Sequence, residues 1–145
     1  MTMDRSFIQL NRASSSRIRT LASQLNDQQL LKPIGKNWTV AITLAHLAFW
    51  DGRVMHVLDV TEQNAKLSVP EVDISVNDFA LPLWAAIPPR EAARIAVETA
   101  KSVDERIENF PAALLEEIYN HNKRLVVRAM HRGEHLDEVD AALKG

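Results

Sequence analysis

His131 and His135 stand four residues apart in Arg128-Ala-Met-His-Arg-Gly-Glu-His-Leu-Asp-Glu-Val. On a helix, positions i and i+4 lie one turn apart and differ by about 40° around the axis. Two imidazoles so placed can grip one metal ion. The segment reads His-Arg-Gly-Glu-His rather than the His-Glu-x-x-His of metalloproteases. A solvated pair on a surface helix is therefore the alternative, and a metal site needs a third ligand from elsewhere. His46, in Thr43-Leu-Ala-His-Leu-Ala-Phe-Trp, is the candidate. It falls mid-stripe on its own helix, where an imidazole needs either a metal or a polar partner such as a backbone carbonyl or a carboxylate.

Three neutral imidazoles suit Zn, Ni, Fe or Cu better than Ca or Mg. Three protein ligands leave a position for water or substrate, as catalytic rather than structural sites do. A bound metal would lower the pKa of water or of a bound thiol. The chain has no cysteine, which excludes disulfides, thiolate ligands and a cysteine nucleophile. Any thiol in the chemistry must arrive as cofactor or substrate.

Arg53 and Arg128 fall on or near the histidine-facing sides of their helices. They could hold a carboxylate on a substrate or thiol cofactor, or they could form interhelix salt bridges. Trp50 could wall the pocket or belong to the core. Glu138 is either a partner of a ligand histidine or a solvated carboxylate. Asp51, about 140° from His46, reads as a surface or interhelix contact. His56 and His121 each lie ten residues from a preferred histidine, off-face by about 80°, and read as surface or loop residues.

Helical periodicity marks the elements that must position these groups. The first helix spans about Ser6 to Asn26, with Phe7, Leu10, Ser14, Ile18, Leu21 and Leu25 on one stripe and Asp4 as a candidate N-cap. A loop from Asp27 to Asn37 contains Pro33 and Gly35. The second helix runs from near Thr39 to about Asp59, with Ile42, His46, Phe49, Trp50, Arg53 and Val57 facing inward. Trp38 could pack back on Ile42 or Thr43. Four prolines break the stretch from Thr61 to Pro89. Ser75 and Asp78 resemble a capping box for a short helix from Val76 to Trp84, whose Phe79 and Trp84 could lid the bundle end or form a dimer surface. The third long helix starts at Pro88-Pro89 and runs to about Phe110, where Pro111 stops it. A polar segment around Glu116 to Asn122 leads into the fourth, about Lys123 to Leu143.

Four amphipathic helices of about 20 residues predict an all-α fold, a four-helix bundle. The long crossover between helices 2 and 3 lets those two run parallel. The chain has 145 residues, 46% hydrophobic and 25% charged, with net charge −2. That fits one domain over residues 1–145 and gives no reason to expect nucleic acid. No apolar run has signal-peptide or membrane-span length, so the expectation is a cytoplasmic protein.

His46-Leu-Ala-Phe-Trp-Asp on one helix and His131-x-x-x-His135-Leu-Asp-Glu-Val on the last resemble the DinB-like superfamily. That group includes the YfiT-like proteins and the metal-binding domain of mycothiol-dependent maleylpyruvate isomerase. The resemblance covers nearly the whole chain in length and helix order. It implies a bundle with a long crossover and a divalent metal, often Zn or Ni, on three histidines, here His46, His131 and His135. It also implies frequent dimers and, among relatives, transferases and an isomerase that use low-molecular-weight thiols. The expected function is metal-dependent thiol S-transfer to a small electrophile. A metal-dependent hydrolase and a non-catalytic metal-binding or interaction protein are the alternatives.

Overall fold

The computed structural model describes residues 3–145. Among them lie seven α-helices: α1 Phe7–Gln24, α2 Asp27–Leu30, α3 Val40–Asn64, α4 Val76–Ala86, α5 Pro89–Glu108, α6 Ala112–His121 and α7 Arg128–Lys144. Two short strands, β1 Pro33–Ile34 and β2 Trp38–Thr39, pair antiparallel, and a 3-10 turn covers Lys123–Leu125. The chain is all-α with a four-helix bundle of α1, α3, α5 and α7, and α4 lies in the long crossover between α3 and α5.

The core divides into two clusters, and their membership gives the helix directions. One holds Ile18 and Leu25 of the α1 end, Val40 to Leu47 at the α3 start, Ala92 to Ala100 at the α5 start, and Leu136 and Val139 late in α7. The other holds Phe7, the α3 residues Val54 to Leu58, the α5 residues Val103 and Ile107, and Leu125 to Val127 just before α7. Helices α3 and α5 therefore share both ends and run parallel, as the long crossover predicts. Helices α1 and α7 run against them.

Alanine supplies the α5 face toward the core, with Ala92, Ala93, Ala96 and Ala100 all buried. Small side chains let helix axes approach closely, so a long helix such as α3 can pack along this face. Pro89 at the first position of α5 loses no helical hydrogen bond, because its N–H would have been unpaired there.

Several local expectations are corrected. The α1 stripe is rotated: Leu10 is 53% exposed, and Asn11 is buried in its place. Asn11 Nδ2 donates to the Val126 carbonyl at 2.9 Å, and its Oδ1 accepts from Ala129 N at 3.0 Å. It thereby satisfies one of the orphan amides at the start of α7. Asp4 accepts from Ser6 N (2.9 Å), immediately before the helix. Ser75 forms no capping box; Asp73 Oδ1 accepts its amide at 2.8 Å instead. Helix α3 extends five residues beyond Asp59 and ends at Ala65 in the left-handed region (φ 54°). The segment after Pro111 forms α6, with Leu115 and Ile118 buried, because a proline that stops one helix also suits the start of the next. Helix α7 begins only at Arg128, since Asn122 Oδ1 accepts from Arg124 N and closes a tight turn first.

Candidate metal centre

Thr39 caps α3 by accepting from Ile42 N at 3.1 Å. From Val40 to Ala48 every residue of α3 is buried, so His46 enters the core with 3% exposure. Helix α7 crosses this region and presents His131 and His135. His46 Nε2 lies 3.2 Å from His131 Nε2. Ring centroids are 5.1 Å apart for His46–His131, 4.6 Å for His46–His135 and 4.8 Å for His131–His135. One nitrogen from each of the three lies within 4.8 Å of the others.

Aromatic rings wall the cluster. Trp38 lies 4.8 Å from the His46 ring and stacks on His135 at 6.2 Å with planes 15° apart. Trp84 meets His46 edge-on at 5.2 Å, and Trp50 does so at 6.4 Å. The β1–β2 hairpin and α4 thus carry two of the three walls. Burial, then the neighbouring His135 and His131, push His46 down to about 3. Burial, then Arg128, push His131 down to about 3. Both rings are neutral at ordinary pH, the state in which an imidazole can ligate.

The donor set fits a transition-metal ion. Bonds of about 2.0–2.1 Å in a tetrahedral site put ligand nitrogens roughly 3.3 Å apart, close to the 3.2 Å between His46 and His131. Nε2 of His46 and Nε2 of His131 face each other, and Nδ1 of His46 and Nδ1 of His135 are buried with no hydrogen-bond partner. Glu138 Oε2 comes within 3.5 Å of His135 Nδ1, and its side chain is half-exposed. His56 and His121 are exposed and outside the cluster.

Behind the histidines lies a buried ionic network. Arg128 Nε donates to Asp51 Oδ1 at 2.8 Å, and Arg132 Nε donates to Asp51 Oδ2 at 3.1 Å. Arg132 also pairs with Asp104 at 2.9 Å and donates to Ser14 Oγ at 3.1 Å. Burial alone would lower the Arg132 pKa, but Asp51 and Asp104 together outweigh it and raise it. Arg128 Nη1 donates to the Arg124 carbonyl at 2.8 Å, and Nη2 approaches His131 Nδ1 at 3.4 Å. Asp51 is thus an interhelix contact, not a surface one.

On the His131 side the site opens into a cleft of about 140 Å³ lined by Trp50, Arg53, Asn122, Arg124, Leu125, Arg128 and His131. Trp50 Nε1 donates to Asn77 Oδ1 at 2.9 Å, which holds this wall in place.

A family model described as the DinB superfamily matches residues 9–137. The chain belongs to the DinB superfamily. Among curated proteins and among solved structures, no match to the chain was found.

In this DinB-superfamily chain the structure brings together His46, His131, His135, Trp50 and Arg128, with Arg53 at the cleft. Sequence reasoning missed three contributors. Trp38 was assigned to the helix start, but the hairpin turns it onto the histidines. Arg132 lies three residues before His135, and nothing in the neighbouring sequence marks it as buried. Asp104 is an acid on an alanine-rich core face, and that mismatch was the one signal that could have found it.

Proposed function

We propose that this protein is a metal-dependent thiol S-transferase, with zinc or nickel held by His46, His131 and His135 and a low-molecular-weight thiol as nucleophile. The observation that carries the reading is a converging set of three imidazoles, backed by arginines and indoles, with no carboxylate among the described residues placed to act as a base. Asp51 is engaged by two arginines, and Glu138 stands behind His135 rather than over the cleft mouth lined by His131. Hydrolysis needs a group to take a proton from water as it attacks. A thiol needs less help, because its own pKa is much lower.

A divalent ion bound by the triad would supply the positive charge that favours the thiolate. The chain's own residues do the rest. His46, fixed in α3, and the α7 histidines set the direction from which a ligand enters. Trp38 and Trp84 exclude water from the inner side. Trp50 and Arg53 line the cleft that His131 borders. In the transfer, the thiol proton leaves to solvent, sulfur bonds to an electrophilic carbon, and the leaving group departs with the bonding pair. We also propose a homodimer, supported by Phe79 and Leu83 of α4, which are 75% and 70% exposed.

The test is turnover of a chlorodinitrobenzene-type electrophile by zinc- or nickel-loaded protein across a panel of small thiols. Metal-dependent acceleration with at least one thiol is expected. Equal rates with and without metal for every thiol would overturn the proposal, and hydrolysis of an ester panel without thiol would replace it.

A further inference from the structure

The three arginines that line the cleft are not equivalent. Arg128 is buried and committed to Asp51 and the Arg124 carbonyl. Arg124 makes a two-pronged pair with Glu134, at 3.0 Å on both arms. Arg53 has no carboxylate partner among the described residues. Its Nη2 donates to the Pro70 carbonyl at 3.2 Å, and its Nε is buried with no partner at all. Its guanidinium lies 5.9 Å from the Trp50 ring centroid. Burial pulls its pKa down, and no neighbouring carboxylate offsets the shift.

Desolvating a donor without an acceptor costs about 1–3 kcal/mol, more for a charged group. A surface arginine would escape by turning to water, but here the indole and the Pro70 carbonyl hold the fork in place. The two acids that share a surface depression with Arg53 form no ion pair with it. Asp73 accepts from Ser75 N, and Glu71 shares only the neighbouring surface depression with Arg53 and His121. A planar fork stacked on an indole, with one edge unpaired, matches the two oxygens of a carboxylate.

We propose that Arg53, laid over Trp50, is the anion anchor of this cleft, and that the small molecule reaching His131 carries a carboxylate. The anchor deepens the metal-site reading above, on which it rests for the position of the ligand's other end. Arg128 stays committed to Asp51 and the Arg124 carbonyl, and Arg53 decides the charge class of the ligand.

Cobalt(II)-loaded protein tests this without turnover, because a thiolate on cobalt gives a charge-transfer absorption band. Mercaptopropionate is expected to saturate that band at about tenfold lower concentration than the neutral mercaptoethanol. In Arg53→Gln the preference should vanish, and in Arg53→Lys part of it should return, with melting temperatures close to wild type. Equal affinity for the two thiols in wild type, or an undiminished preference in Arg53→Gln, would overturn the anchor. In parallel, propionate is titrated into metal-free protein while the Arg53 Nε–H resonance is followed. A shift with propionate but no cobalt–thiolate band would leave the anchor standing and remove the thiol reading. A cobalt band with no propionate response and no charge preference would do the reverse. A response to inorganic phosphate but not to propionate would reject the carboxylate class.

Discussion

Asp51 and Arg132 form an ion pair at 3.1 Å in which the two side chains are 1% and 0% exposed. The same carboxylate accepts Arg128, whose far edge reaches His131. One buried acid on α3 therefore sets the height and rotation of α7, and with it the spacing of the imidazoles. Removing it should be expensive. Asp51→Asn leaves two buried guanidinium groups short of charge, a change worth about 3–5 kcal/mol. Chemical denaturation of the metal-free variant checks the figure. A loss below about 1 kcal/mol would mean that the network adds little to helix registry.

One divalent ion per chain is expected in purified protein loaded with zinc or nickel. His46→Ala and His135→Ala should each lose most of it while far-UV circular dichroism stays unchanged. Metal analysis of the three proteins side by side decides the matter. Equal metal in all of them would place the ion elsewhere.

The metal-free protein should lose stability in mild acid. His46 and His131 have folded pKa values lowered to about 3 from 6.5. The unfolded chain therefore binds more protons than the folded one across that window. Their contribution is complete above pH 6.5 and falls as pH drops toward 3, by up to about 1.4 kcal/mol per pH unit for each ring. Asp104 works in the opposite sense at the acid end, because burial raises its pKa. Melting curves at pH 7.5, 5.5 and 4.5, roughly spanning the window, should decline steadily. A flat series would show that the rings are hydrated rather than buried.

Trp84 closes the inner wall against His46. Trp84→Ala should cost about 3–5 kcal/mol through the cavity it leaves. It should also speed carbethoxylation of the histidines in the folded, metal-free protein. Trp84→Phe, which keeps most of the wall, should resemble wild type in both measurements.

The apolar face of α4 supplies the test of self-association. Phe79→Lys together with Leu83→Lys adds charge at two largely exposed positions, so folding should be unaffected. Light scattering is expected to show a dimer for wild type and a monomer for the double variant. The same mass for both proteins would put any interface elsewhere.

The periodicity of apolar residues was enough to place the long helices, with ends off by as much as a turn and a half, because that signal is local and repeats every turn. The spacing of His131 and His135 was equally local, and His46 stood out as a polar residue in an apolar stripe. The same logic failed where a polar residue was buried with a distant partner. Asn11 and Arg132 have no local sign of burial until the fold supplies their partners, and Asp104 interrupts an alanine face with no partner nearby in sequence. Leu10, apolar yet exposed, shows the converse: a stripe drawn from hydrophobicity alone cannot see which neighbour will cover it.

By itself the sequence determined which residues could ligate, which helices carry them and that no protein thiol takes part. Whether three histidines from positions 46, 131 and 135 meet depends on the crossing of α3 and α7. That crossing is set by the Asp51 network, by Asn11 at the start of α7 and by the alanine face of α5. The separate fates of the cleft arginines were decided in the same way. Arg128 found a carboxylate across the bundle and Arg53 did not, because charge pairing between helices is a property of the packed chain and not of either segment.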